Sequence, residues 1–203
     1  MKIRELAIPN AWEFTPTQHS DDRGLFFEFY RFEQLEQTVG HSLKLRQGNS
    51  SVSARGVVRG IHYALVPPGQ AKYVTVTRGA MLDYVVDLRI GSPTFGEWDS
   101  VLLDEVDHRS VYLAEGLGHA IVALTADATV SYLVSEVFTP TRELGIHVLD
   151  PEIGLVFPVE IEHPLLSAKD TEALTLAEAV ERKLLPTWQE CLAVYSALDS
   201  GDL

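Results

Sequence analysis

Between about residues 45 and 140 the chain is broken at near-regular spacing by turn signals: PPGQ at 67–70, RGA at 78–80, GSPTFG at 91–96 and AEGLG at 114–118. The segments between them are short and strand-like. MLDYVVDLR alternates with period two, with Leu82, Tyr84, Val86 and Leu88 on one face and Asp83, Val85, Asp87 and Arg89 on the other. ATVSYLVSEVF, residues 128–138, is rich in β-branched residues and gives Tyr132 and Phe138 the same parity. LRQGNSSVS, residues 45–53, puts Gln47, Asn49, Ser51 and Ser53 on one side, a face that suits either solvent or a polar cavity. Many short strands at such spacing predict an all-β sandwich or barrel.

The two ends read differently. RFEQLEQTVG, residues 31–40, predicts a short helix closed by Gly40. TLAEAVERKLLP carries a capping box, Thr175 with Glu178, and stops at Pro186. A second helix is expected over 188–198. The 203 residues predict one domain, with a barrel core over about 45–140 and C-terminal helices, over about 171–199, packed on it.

Charge and cysteine narrow the partners. A net charge of −13 argues against nucleic acid or an anionic membrane but leaves room for a small anionic ligand held by a few local cations. No apolar run approaches the ~18 residues of a membrane span. The N-terminal MKIRELAIPNAWEF lacks the apolar core of a secretory signal. The single cysteine, Cys191, cannot form an intrachain disulfide, which fits a reducing cytoplasm. It reads as a packing residue in a helix.

The chemistry centres on RGVVRGIHYALVPPGQAKYV, residues 55–74, where one histidine interrupts an apolar strand. A metal site in a small barrel needs three or four converging ligands. His62 is followed by Tyr63 and Ala64, and only His119 is placed to approach from another strand, so the metal signal is weak. Acid–base chemistry needs less: one base, a group to orient it and an acid across the substrate. His62 suits the base. A lone histidine is more often a satisfied core residue, but Arg59 and Lys72 nearby change the balance, because buried charges need partners or ligands. Strict alternation would send Arg59 and His62 to opposite faces. Gly60 between them marks a possible bulge that resets it. Tyr132 reads as an aromatic filler or a proton donor. Arg23 and Glu28 in DDRGLFFEFY have plain readings as a turn charge and a strand charge, and Asp170 in SAKD as a helix cap or first-turn charge.

Taken in order, DDRGLFFE, QGNSSVSARGVVRGIHY, PPGQAKYVTVTRGAMLDYVVDLRIGSPTFGEWDSVLL, GLGHA, the Tyr132 strand, TPTRELGI and LSAKD resemble dTDP-4-dehydrorhamnose 3,5-epimerases and their relatives over nearly the whole chain. The resemblance implies a cupin-type jelly roll, a homodimer with shared active sites, a dTDP-4-keto-6-deoxyhexose substrate, and neither metal nor other cofactor. It implies that His62 is the base, Asp170 its orienting carboxylate, Tyr132 the proton donor, and Lys72 the donor to the enolate oxygen. It places nucleotide and sugar contacts at Arg23, Glu28, Gln47, Asn49, Arg59, Lys72, His119, Phe138, Glu143 and Lys169, with the part around Arg23 and Glu28 reaching across the dimer. Strands from two chains building one site would ease the parity conflict.

The chain departs from the family pattern where Phe138 replaces the usual tyrosine, where Ala120 and Ile121 replace glycine and phenylalanine, and at Gly48. These departures bear on whether C3, C5 or both are inverted. Two other readings of the barrel are a metal-dependent cupin enzyme, favoured by stoichiometric metal, and a silent sugar-nucleotide binding module, favoured by binding without solvent exchange.

Overall fold

The structure, a computed structural model, describes residues 1–201. Its frame is two antiparallel sheets. One contains β1 (Lys2–Glu5), β2 (Ala11–Thr15), β5 (Gln47–Ser53), β7 (Lys72–Arg78), β10 (Ser110–Leu113) and β12 (Ala128–Val134), ordered β1-β2-β10-β7-β12-β5. The other contains β6 (Val58–Ala64), β8 (Ala80–Asp87), β9 (Trp98–Asp104), β11 (Leu117–Ala123) and β13 (Glu143–Gly145), ordered β13-β6-β11-β8-β9. A separate hairpin pairs β3 (Gln18–Asp21) with β4 (Gly24–Phe27). The described residues also form four helices: α1 (Phe32–Val39), α2 (Ala168–Thr171), α3 (Leu176–Glu181) and α4 (Trp188–Ser200). This is the expected jelly roll. The sheets extend past the expected 45–140 core, because β1, β2 and β13 lie outside it.

Burial explains why the strands are so apolar. The five-stranded sheet is covered on both faces. Met81, Val85 and Ile121 join a core with Val74, Val76 and Val130 of the other sheet. Tyr84, Val86, Leu88, Ala120 and Val122 join a second core with Leu176 and Ala179 of α3. The two faces read from MLDYVVDLR are therefore both interior, and its polar face is the one turned toward the other sheet. Leu35 of α1 and Cys191, Val194 and Tyr195 of α4 close the first core, with Cys191 fully buried as a packing residue. Gly40 ends α1 in the left-handed conformation, and Thr175–Glu178 forms the expected capping box. Thr187 and Glu190 form another at α4.

The DLRIGSPT stretch is architectural. Arg89, fully buried, donates from Nε and Nη2 to Asp87 Oδ1 and Oδ2 at 2.8 and 2.7 Å. Ser92 and Thr94 hydroxyls also donate to Asp87 Oδ2. The guanidinium reaches Asn10 and the Tyr195 hydroxyl and lies 4.4 Å from the Trp188 ring centroid. One buried ion pair thus ties the N-terminal segment and α4 to the barrel.

Gly60 decides which side chains of β6 face inward. Across the β6–β11 ladder His62 pairs with His119 and Arg59 with Ile121, so three steps on β6 match two on β11. This bulge resets the alternation, and Arg59 and His62 come to line the same cavity within one chain. A second protomer is not needed to reconcile them. Gly60 has φ of 129°, and a Cβ there would meet the His119 carbonyl oxygen at 2.5 Å and Ala120 Cα at 2.6 Å. Both are backbone atoms that cannot give way locally. Gly60→Ala should therefore cost at least ~2 kcal/mol from strain and overpacking. Denaturant unfolding reads this directly, and an unchanged midpoint would contradict the bulge's role.

Candidate active site

The cavity lies between the sheets and has two adjoining lobes, of about 150 and 210 Å³, that share His62, His119 and Tyr132. The registers explain how its walls assemble. Asn49, Tyr132 and Val74 form one row across β5, β12 and β7, and Gln47, Val134 and Lys72 form the next. Paired residues share a face, so Asn49, Gln47, Tyr132 and Lys72 all point one way. The polar face of LRQGNSSVS is thus the wall of a cavity. Opposite, Gly145, His62, His119 and Val85 form a row across β13, β6, β11 and β8.

His62 Nε2 lies 2.6 Å from Asp170 Oδ1. Asp170 sits in α2, where Ser167 is the N-cap. The Ser167 hydroxyl accepts from the Asp170 N–H at 3.1 Å and donates to Asp170 Oδ2 at 2.8 Å. Both carboxylate oxygens are occupied, and the residue is only 5% exposed. Burial pushes the Asp170 carboxyl up, but the hydrogen bonds of His62 and Ser167 and the nearby cationic charge outweigh it and hold the pKa below its ordinary value. An ionised Asp170 fixes the Nε2–H tautomer of His62 and leaves Nδ1 with the lone pair.

His119 forms a second pair of this kind, Nε2 lying 2.7 Å from Asp83 Oδ2. Asp83 is fully buried, and its Oδ1 has no hydrogen-bond partner among the described residues. No group of three His, Cys, Asp or Glu among the described residues is placed to hold a metal ion.

Tyr132 faces His62 from the other sheet. Its hydroxyl has no hydrogen-bond partner among the described residues, unlike a filler tyrosine with a bonded hydroxyl. Burial, reinforced by Glu143 and opposed by Arg59, pushes its pKa up, so it holds its proton at neutral pH. Lys72, 6% exposed, donates from Nζ to Gln70 Oε1. Burial pushes Lys72 down to about 8 against the opposing charges of Glu143 and Glu115.

The remaining expected residues divide clearly. Gln47, Asn49, Phe138 and Glu143 line the lobe of Lys72, and Arg59 and Lys169 line that of Asp170. Phe138 reaches the cavity differently from the sequence reading, because β12 stops at Val134. Its backbone N–H donates to Gln47 Oε1 at 3.0 Å, and the residue is 53% exposed at the mouth. Strand parity therefore does not relate it to Tyr132. Arg23 and Glu28 are not brought to the cavity within one chain. Arg23 pairs with Asp21 at 2.5 Å, and Glu28 lies 3.5 Å from Arg31. Sequence reasoning missed Asp83, Ser167 and Gln70. A Ser three residues before an Asp was legible as a cap signal, and an aspartate inside an apolar strand signals a needed partner. Gln70 carried no such signal.

Residues 5–178 match the family model described as dTDP-4-dehydrorhamnose 3,5-epimerase. The chain belongs to this family. It is 52% identical over 199 residues to a dTDP-4-dehydrorhamnose 3,5-epimerase of Mycolicibacterium smegmatis, covering 98% of this chain and 97% of that one. Its fold matches the solved rmlC epimerase of Mycobacterium tuberculosis at a TM-score of 0.96 with 47% identity, covering 98% of this chain and 100% of that one. It also matches a double mutant of ChmJ, a 3'-monoepimerase from Streptomyces bikiniensis, in complex with dTDP, at a TM-score of 0.94 with 46% identity, covering 97% of this chain and 98% of that one. The ChmJ mutant changes a histidine to asparagine and a tyrosine to phenylalanine, separated by as many residues as His62 and Tyr132 are in this epimerase family member.

Proposed function

We propose that this protein is an isomerase that inverts dTDP-4-keto-6-deoxyglucose at C3, in deoxysugar biosynthesis. The carrying observation is that His62 and Tyr132 enter one cavity from opposing sheets. Inversion requires a base on one face of a carbon and an acid on the other. The relatives support C3 as the centre, since a 3,5-epimerase and a 3'-monoepimerase both act there. The departures at Ala120, Ile121 and Phe138 bear on whether C5 is inverted as well.

The C4 ketone acidifies the neighbouring C–H bond. His62 takes that proton at Nδ1, and Asp170 stabilises the imidazolium that forms. Electron density moves from the breaking C–H bond to the C4 oxygen. The Lys72 ammonium donates to that oxygen, where the charge develops in a secluded site. Tyr132 then gives its proton to the opposite face of the same carbon. His62 loses its proton to water and Tyr132 regains one, so the cycle ends with no net change but configuration. Arg59 and Lys169 supply cations for the diphosphate, and Phe138 a face for the base to stack on. A cytoplasmic setting is consistent with a free, buried thiol at Cys191.

A second copy of the chain completes the site in this reading. The β3–β4 hairpin pairs with neither main sheet, and the segment around it exposes Leu25, Phe26 and Phe29. Exposed apolar surface of this kind marks an interaction site, and Arg23 and Glu28 lie on the same segment. A homodimer that seats this segment at the partner's cavity would place both residues against substrate.

Replacing His62 with Asn should lower kcat by about 10²–10⁴-fold while dTDP still binds by calorimetry. Full activity in that variant would sink the assignment. Sedimentation should show a two-chain species that Phe26→Asp dissociates with loss of activity, whereas a fully active monomer would contradict the shared site.

A further inference from the structure

Among the described residues Lys72 is the only lysine or arginine lining its lobe of the cavity. A buried ammonium carries three donors and needs acceptors for them. Among the described residues one acceptor is present, the amide oxygen of Gln70. Gln70 is itself 6% exposed, and its amide is held from the other side. Its Nε2 donates to the Glu136 carbonyl at 2.9 Å and to Glu143 Oε1 at 3.2 Å. Glu143 Oε1 also accepts from the Thr139 N–H at 3.3 Å. Flipping the amide would turn its oxygen toward two acceptors and its nitrogen toward a cation. The orientation is therefore determined, and Oε1 stays aimed at Lys72.

We infer that Gln70 is a positioning residue, whose amide oxygen fixes the Lys72 ammonium against the C4 oxygen of the substrate while its amide nitrogen ties that lysine to the 136–143 segment. This deepens the assignment of Lys72 as the enolate donor and rests on it. With one N–H committed to Gln70, the other two are free for the ligand. The Glu136 carbonyl and Glu143 hold the amide nitrogen, so the oxygen is kept on the lysine by a side chain whose polar atoms are committed to the protein.

Lys72 is faced by Glu143 from β13 and by Glu115 from the turn between β10 and β11, and it shares its lobe with His62, His119 and Tyr132. The ammonium is the active form. Its pKa lies near about 8, lowered by burial, so kcat/KM should fall as pH rises through that value. Removing the Gln70 oxygen disfavours the cation and should move this alkaline limb to lower pH. A carboxylate in its place should move the limb to higher pH.

The test is steady-state kinetics across pH for wild type, Gln70→Met, Gln70→Glu, Lys72→Met and the Gln70→Met/Lys72→Met double variant. Gln70→Met should lower kcat about tenfold to a hundredfold with KM nearly unchanged, and its alkaline limb should shift down. Gln70→Glu should shift the limb up, a readout that survives if the methionine variant folds poorly. In the Lys72→Met background the Gln70 substitution should cost nothing further. Equal losses with and without Lys72, or a limb that stays put in both Gln70 variants, would overturn the inference and leave the Lys72 assignment standing. A fully active Lys72→Met would overturn the Lys72 assignment itself, and the inference with it.

Discussion

One extra residue in β6 governs what this barrel presents to a ligand. Opposite an unbroken β11, the bulge at Gly60 brings Arg59 and His62 to the same side. Without it one of them would enter the outer core among Tyr84, Val86 and Val122. The same strand also delivers the partner of His62. Val57 bridges Leu165, and the Val58 N–H donates to the Leu165 carbonyl at 2.9 Å, which lays the chain leading into α2 along the start of β6. Backbone pairing thus carries Asp170 to the histidine, and Ser167 locks the carboxylate once it arrives. Close packing of the bulge against the backbone of His119 and Ala120 means that the cavity's geometry and the fold cannot be separated at this point.

Polar groups inside the barrel fall into two sets. At Arg89 every donor is used on Asp87, Asn10, Tyr195 or Pro9, and the result is rigid architecture. Removing one partner of such a pair leaves a buried charge behind, at a cost of about 3–5 kcal/mol. Around the cavity satisfaction is incomplete. Among the described residues Lys72 has one acceptor, the Tyr132 hydroxyl has no hydrogen-bond partner, and Ser51 Oγ on the cavity wall is buried without one. Unmade hydrogen bonds at buried groups cost stability. Those that open on the cavity are available to a polar ligand's oxygens.

Much of this was legible in the sequence, for identifiable reasons. Turn residues and period-two segments carry local information, so the all-β frame and the C-terminal helices followed from them. Gly60 between Arg59 and His62 announced the bulge, because a glycine amid β-branched residues has few other uses. The site was legible mainly through family resemblance. Strand parity alone misassigned Phe138, since nothing local says that β12 ends at Val134. The pairing of Asp83 with His119 was hidden because it depends on β8 and β11 being neighbours, a fact of topology. Gln70 was hidden for a similar reason: its meaning lies in Glu136 and Glu143, which are distant in sequence. Arg23 and Glu28 show the limit of one chain, since their local partners are Asp21 and Arg31 and neither lines the cavity.

The central claim is that His62 removes a proton from one face of the sugar and Tyr132 returns one to the other. The most direct measurement is NMR of the sugar-ring protons during incubation with dTDP-4-keto-6-deoxyglucose in D2O, comparing wild type with His62→Asn and Tyr132→Phe. The account predicts deuterium at C3 with inversion in the wild type, incorporation slowed about 10²–10⁴-fold with His62→Asn, and incorporation without inversion with Tyr132→Phe. Exchange at the wild-type rate in His62→Asn, or full inversion in Tyr132→Phe, would contradict it.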